Sequence, residues 1–167
     1  MQNVEFKSEL RDLSAARTQC RVLGAALIGR IRQSDTYFRL PDGRLKRRES
    51  PGEPVEWIFY HRENRSRPRL SSFTILSDAQ ATLRWGTHGL KPWLVVSKWR
   101  ELWMKENVRI HLDEVDGLGT FIEFEALVSG NHDAKECRMM VQHLRETFAP
   151  ILGEAVGTSY SDLAAGV

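Results

Sequence analysis

"VRIHLDEVDGLGTFIEFEALV", residues 108–128, decides how this chain is read. In its first half Arg109, His111 and Asp113 share one parity, and Val108, Ile110 and Leu112 share the other. After "DGLG", Glu123 and Glu125 oppose Ile122, Phe124, Ala126 and Val128. Alternation of period two marks two β-strands, 108–115 and 120–128, each with an ionic face and an apolar face. The two glutamates then lie roughly 6–7 Å apart along one face. Like charges side by side on so apolar a strand need a partner.

Working outward, the same alternation recurs. Residues 2–10 read as a strand with Asn3, Glu5 and Lys7 on one face, and Val4 and Phe6 on the other. Residues 26–40 read as extended. "PDG" at 41–43 is a turn, because Pro sets φ and Gly tolerates positive φ. "RLKRRE" returns as a hairpin strand that aligns Arg44, Lys46 and Arg48. Strand 55–63 aligns Ile58, Tyr60 and Arg62, and strand 70–76 follows after a loop. Strand 93–104 sets Leu94, Val96, Lys98 and Arg100 against Val95, Trp99 and Trp103. Helical patterns occupy 14–24, capped by Asp12 or Ser14, then 77–89 ended by Gly, then 132–149 with its stop near Pro150.

Eight strands and three main helices describe an α+β chain that is mainly antiparallel β. No linker splits it, so residues 1–167 are expected to form a single domain. Apolar residues make up 41% and charged residues 28%, enough for a real core. Each apolar strand face needs a cover, and helices can cover a sheet from outside only if it is closed. The expected fold is therefore a closed eight-stranded β-barrel, a tunnel with helices packed outside, which also removes exposed edges.

In that barrel the ionic faces point inward. Lys7, Lys46, Arg48, Arg62, Lys98, Arg100 and Arg109 then face Glu5, Asp113, Glu123 and Glu125. Unpaired charges in a lumen cost several kcal/mol each. A lumen in which cations outnumber carboxylates is completed by a polyanion. Crowded carboxylates suit hard cations with oxygen ligands, Mg²⁺ or Mn²⁺. Cations beside metal-bridging carboxylates are what a triphosphate needs. The same ionic pattern argues against a barrel for a small apolar ligand.

Other features set bounds. A net charge of +2 is too mild to indicate nucleic acid. Cys20 and Cys137 have no metal or disulfide spacing and read as buried thiols of a reducing compartment. "MQNVEFKSEL" carries no apolar signal region, and no run approaches the roughly 20 apolar residues of a membrane helix. A soluble, cytoplasmic protein without a membrane partner is expected. The five histidines form no zinc spacing, and a structural role is expected for His111. Trp57, Trp93, Trp99 and Trp103 are expected to pack beneath helices. With only three helices for cover, a homodimer is a further expectation. "GLKPWLVVSK" lacks the glycine spacing of a P-loop.

Several pieces, in order, carry a resemblance: "NVEFK" (3–7), "QSDTYF" (33–38), "GRLKRRE" (43–49), "FYHRE" (59–63), "VSKWRELW" (96–103), the opening stretch to Glu125, and "SYSDL" (159–163). The chain resembles the CYTH superfamily, the triphosphate tunnel metalloenzymes, and within it the class IV adenylyl cyclase branch. The resemblance implies an eight-stranded antiparallel tunnel. It implies that Glu5, Glu123 and Glu125 hold divalent metal with Asp113 nearby. Lys7, Lys46, Arg48, Arg62, Lys98, Arg100 and Arg109 would hold the triphosphate, with Lys7, Arg62 and Arg109 as the catalytic cations. The signature Glu-x-Glu-x-Lys begins here with Asn3, an amide that can ligate metal but brings no charge. Two reactions fit: cyclisation of ATP to cyclic AMP and pyrophosphate, and hydrolysis of inorganic tripolyphosphate, a nucleoside triphosphate or thiamine triphosphate. Asn3 favours a third reading, a non-catalytic binder of phosphorylated ligands or RNA. "SYSDL" is expected to be a short capped helix that closes one end of the barrel.

Overall fold

The computed structural model describes residues 1–167. Its strands are β1 (Gln2–Leu10), β2 (Ala26–Leu40), β3 (Gly43–Glu49), β4 (Glu56–Arg62), β5 (Arg69–Leu76), β6 (Pro92–Lys105), β7 (Val108–Val115), β8 (Gly119–Leu127) and β9 (Leu152–Ala155). Helices α1 (Leu13–Val22), α2 (Asp78–Trp85), α3 (Ala134–Phe148) and α4 (Tyr160–Ala165) punctuate them.

The sheet runs β5-β4-β3-β2-β6-β7-β8-β1, and β1 also pairs with β5, so the eight strands close into a ring. All pairings are antiparallel. The ring closes through a division of β1. Its first half, Gln2–Glu5, pairs with β5, while Ser8 and Leu10 pair with β9. The short strand β9 was not foreseen: its four residues, Leu152–Ala155, are too few to show a period.

Local chemistry sets the helix ends. Asp12 caps α1 by accepting from the Ala15 amide, so the helix begins at Leu13 rather than Ser14. Ser77 with Gln80, and Asp133 with Glu136, form capping boxes at α2 and α3. The expected helix over 77–89 ends early because Gly86, at φ 58°, takes the left-handed cap; Thr87–Gly89 continue only as a 3-10 turn.

The apolar strand faces point outward, and helices cover most of them. Under α1 and α3 lie Phe6, Trp103, Ile110, Ile122 and Phe124, all buried. Under α2 lie Phe38, Leu45, Trp57 and Phe59. A third cluster sits inside the ring: Tyr37, Val96, Val115 and Phe121 meet Tyr160 and Leu163. Ser159 caps α4 with Asp162, and Arg44 of β3 pairs with Asp162 at 3.2 Å, so α4 closes one end of the lumen as expected. The tryptophan expectation holds for Trp57 and Trp103, and Trp93, half-buried, packs against the cluster that holds Tyr160 of α4. No helix covers β2 and β6 near Trp99, which is 38% exposed; the Arg30 guanidinium stacks 4.3 Å from its ring. Trp93 is covered in the same way by Arg39 at 3.9 Å. No helix is long and apolar enough to cross a membrane.

Candidate active site in the lumen

The ring encloses a cavity of about 500 Å³. Glu5, Lys7, Lys46, Arg48, Arg62, Lys98, Arg100, Arg109, Glu123 and Glu125 all line it. Asp113 does not. The alternation that put these side chains on one face of each strand places them on the inner face of the ring.

The cationic wall comes from β2, β3 and β6, and its centre is a residue that parity sorting passed over. Asp35 is fully buried. Arg48 donates to both its oxygens at 2.8 Å, Lys98 donates at 3.0 Å, and Lys46 lies 3.8 Å away. Burial pushes the Asp35 carboxyl up, but these three cations override it and hold it well below the usual range. One carboxylate cannot neutralise three cations. Burial, aided by the neighbouring guanidinium of Arg48, lowers Lys98 to about 7 and Lys46 to about 8.

The acidic wall comes from β1, β7 and β8. Cross-strand register sets Glu5 opposite Glu125, Lys7 opposite Glu123, and His111 opposite Glu123. His111, Glu123 and Glu125 each offer a ligand atom, all within 4.8 Å of one another, and the His111 Nδ1 lies 3.5 Å from Glu123. Glu5 forms an ion pair with Arg62 at 3.1 Å and accepts a hydrogen bond from Arg69 at 3.0 Å. Even so, burial and the charge of Glu123 push its carboxyl up. Glu123 is pulled well below the usual range despite its burial, by Lys7, His111 and Arg100.

Asp113 sits behind the wall. Arg100 donates to both its oxygens, at 2.8 and 2.7 Å, and the Tyr160 hydroxyl donates at 2.7 Å. Burial opposes ionisation, yet Arg100 lowers Asp113 to about 2. Three donors therefore occupy its two oxygens, and it stands outside the cavity lining where the other expected metal residues lie. It holds Arg100 in place, and Arg100 in turn reaches Glu123 at 3.3 Å. Tyr160 carries α4 into the site, with the Lys7 ammonium 4.0 Å above its ring.

Sequence reasoning missed Asp35, Arg69 and the share of His111 in the acidic cluster. Hairpin register about "PDG" sets Asp35 opposite Arg48, a signal that was available. Arg69 lay hidden in the turn-like "NRSRPR", although it begins β5 and pairs with Glu5 in register.

The comparisons bear on this geometry. Residues 1–148 match the CYTH domain. The chain belongs to the CYTH family. No curated protein matches it. Among solved structures, a candidate adenylate cyclase from Vibrio parahaemolyticus is similar at a TM-score of 0.76 and 20% identity, over 98% of this chain and 97% of that one. The PH1012 protein of Pyrococcus horikoshii is similar at 0.72 and 20%, over 95% and 96%. An RNA triphosphatase of S. pombe is similar at 0.54 and 12%, over 89% and 80%. At these identities the likeness is one of fold. Membership of the CYTH family, with a lumen built from a cationic wall and an acidic wall, supports an enzyme that acts on triphosphates.

Proposed function

We propose that this CYTH chain is a divalent-metal-dependent enzyme on triphosphate substrates and acts in the manner of a class IV adenylyl cyclase, turning ATP into cyclic AMP and pyrophosphate. The observation that carries the reading is the pairing of two walls in one cavity. Lys46, Arg48 and Lys98 crowd on Asp35, while Glu123, Glu125 and His111 converge opposite.

The residues fit a metal. Glu123, Glu125 and His111 form a compact oxygen and nitrogen donor set. Asn3, two residues before Glu5 on the same face, buries an Oδ1 that has no protein donor. Such a set suits Mg²⁺ or Mn²⁺. A bound divalent ion would neutralise phosphate charge and polarise the phosphorus–oxygen bond that breaks. The chain's own part is positioning. Lys46, Arg48 and Lys98 grip phosphate oxygens from one side; Lys7 and Arg62 do so from β1 and β4. Asp35 and Asp113 hold the guanidiniums of Arg48 and Arg100 in fixed forks, so little reorganisation is needed when the charge arrives. Burial of Lys7, Lys98 and Arg100 excludes water and strengthens each contact.

In cyclisation the ribose 3′-oxygen attacks the α-phosphorus and pyrophosphate leaves. Hydrolysis by a water at the terminal phosphorus would use the same walls and is the second reading. Incubation of the pure protein with ATP or tripolyphosphate, plus Mg²⁺ or Mn²⁺, separates them. Cyclic AMP is expected; phosphate release without it would reject the cyclase reading, and no turnover of either would leave only a binder.

A pH signature follows from Lys98 and Lys46. Both sit below the ordinary lysine value, so the free protein has largely discharged them by about pH 8.5, above their values of about 7 and about 8. A bound triphosphate favours the charged amines, so binding takes up protons, and affinity falls as pH rises through about 7 to 8. Titration calorimetry at pH 8.5 in two buffers of different ionisation enthalpy reads the uptake directly. Net proton release would contradict the assignment of these lysines to the phosphates.

A further inference from the structure

The closed end of the ring carries a second cavity on its outer side, about 1030 Å³ in volume. It opens between the β2–β3 turn, the β4–β5 connection and α3. Six arginines line it: Arg44, Arg62, Arg65, Arg67, Arg69 and Arg138. Glu63 is the only carboxylate in the lining, and it pairs with Arg65. Arg44 pairs with Asp162 of α4. Arg67 and Arg138 are exposed and take part in no ion pair.

The wall between this cavity and the lumen is itself short of negative charge. The Arg62 and Arg69 side chains are 4% and 3% exposed, and both pair with the one carboxylate of Glu5. Arg69 lines the outer cavity and not the lumen. Its Nη1 donates to the Gly157 carbonyl at 2.7 Å and to the Arg65 carbonyl, whereas its Nη2 is buried without an acceptor. A buried donor with no partner is costly, and more so on a charged group. Burial, then the charge of Arg62, pull Arg69 below the ordinary guanidinium value. An anion held at this wall would supply the missing charge and the missing acceptor.

The surrounding chain is fixed in place. A Cβ added to Gly157 would meet the Arg65 backbone at 3.1 Å and that of Ser66 at 3.2 Å, so the β4–β5 connection lies against the segment that leads into α4. Arg44 donates to the Asn64 Oδ1 at 2.7 Å, which ties the same connection to β3. Arginines from β3, β5, the connection and α3 thus converge on one concavity. Guanidiniums grip phosphate oxygens through paired N–H groups, and a concave set of them suits a compact anion with many oxygens. Tyr60, the one Tyr, Phe or Trp of the lining, is only 8% exposed, so nucleic-acid bases find no stacking platform.

We propose that this cavity is an accessory anion site, separate from the lumen, that takes a short inorganic phosphate chain, pyrophosphate being the smallest. Arg67 and Arg138 meet the chain at the rim, and Arg69 faces it from the wall. None of these three is a lumen cation, so the site stands whether or not the lumen turns over triphosphates.

The test is calorimetric titration of inorganic pyrophosphate into the metal-free protein at about 0.15 M salt, where diffuse attraction is screened. The wild type is compared with Arg67→Ser plus Arg138→Ser, with Lys46→Gln in the lumen, and with Arg11→Ser plus Lys91→Ser. The last pair removes equal charge from exposed positions outside the cavity. Arg67 and Arg138 are exposed and unpaired, so their variant is expected to keep the wild-type melting temperature. The wild type should bind two equivalents. The Arg67 and Arg138 variant should weaken one of them more than about tenfold and leave the other within about twofold. Lys46→Gln should weaken only the other, and the charge control should keep both. An unchanged Arg67 and Arg138 variant, an equal loss in the charge control, or no binding at all would overturn the site. A single equivalent weakened only by Lys46→Gln would overturn it and leave the triphosphate reading standing. A single equivalent weakened only by the Arg67 and Arg138 variant would support the site and count against the lumen as a phosphate binder.

Discussion

Glu125→Gln is expected to reduce metal-dependent turnover by more than about a hundredfold while leaving the fold intact. The side chains that merely orient metal ligands are worth about 10- to 100-fold, and a ligand itself should exceed that. Glu125 is the cleanest of the acidic wall to change. Glu123 also neutralises Lys7 and Arg100, and Glu5 neutralises Arg62 and Arg69, so their loss strands buried cations. Glu125 is half-buried and forms no ion pair, and glutamine keeps its shape. The apparent affinity for Mn²⁺, read from the metal dependence of the rate, should weaken in step, and excess metal should restore part of the activity. Undiminished activity of this variant would sink every metal-enzyme reading of the lumen.

Asp35→Asn should have the largest effect on stability. Removal of one partner from a buried ionic cluster costs about 3–5 kcal/mol, because the charges left behind have no other outlet. Here Arg48 and two lysines lose their carboxylate together. For a chain of this length that is a fall of roughly 6–20 °C in melting temperature. The sign with pH is fixed. Asp35 is held well below its ordinary value, so its contribution is complete above that value and fades as the solution is acidified through the depressed one. Lys98 and Lys46, lowered to about 7 and about 8, can discharge as pH rises, whereas Arg48 cannot. The variant should therefore lose most below about pH 7 and recover in part above it. Tripolyphosphate should raise its melting temperature more than that of the wild type, since the ligand supplies the missing negative charge. A melting temperature within about 2 °C of the wild type would show that Asp35 does not anchor the cationic wall.

How much of this was legible in the chain depends on the distance over which each signal acts. Parity is local, and it assigned Glu5, Lys7, Lys98, Glu123 and their partners to the inner face before any tertiary contact was known. Closure of the ring followed from the need to cover the opposite faces. Asp35 escaped because its immediate neighbours on that face, Gln33 and Tyr37, are uncharged, while Arg30 and Arg32 stand on the opposite face; its importance comes from Arg48 across the hairpin and Lys98 across the other edge. His111 was legible as an inward residue. Its place beside both glutamates depends on β7–β8 register, which sequence fixes only loosely. Asp113 shares parity with lumen residues, yet it lies deep enough that Arg100 and Tyr160 reach it first. Tyr160 is nearly fifty residues away in the chain, and no periodic pattern links the two.

The division of β1 between two partners has a consequence for how the molecule is made. The strand that carries Asn3, Glu5 and Lys7 precedes all its partners in the chain, and only its early half can pair with β5 as soon as β5 exists. Its other edge waits for β8, and Ser8 and Leu10 wait for β9, well over a hundred residues later. The Val156 amide then donates to the Lys7 carbonyl at 2.9 Å, which locks the backbone beside the site. Such distant pairings are slow to form, and they leave an open strand edge in the meantime. The acidic wall is therefore assembled late in folding, by the joining of β1 to strands more than a hundred residues further along the chain.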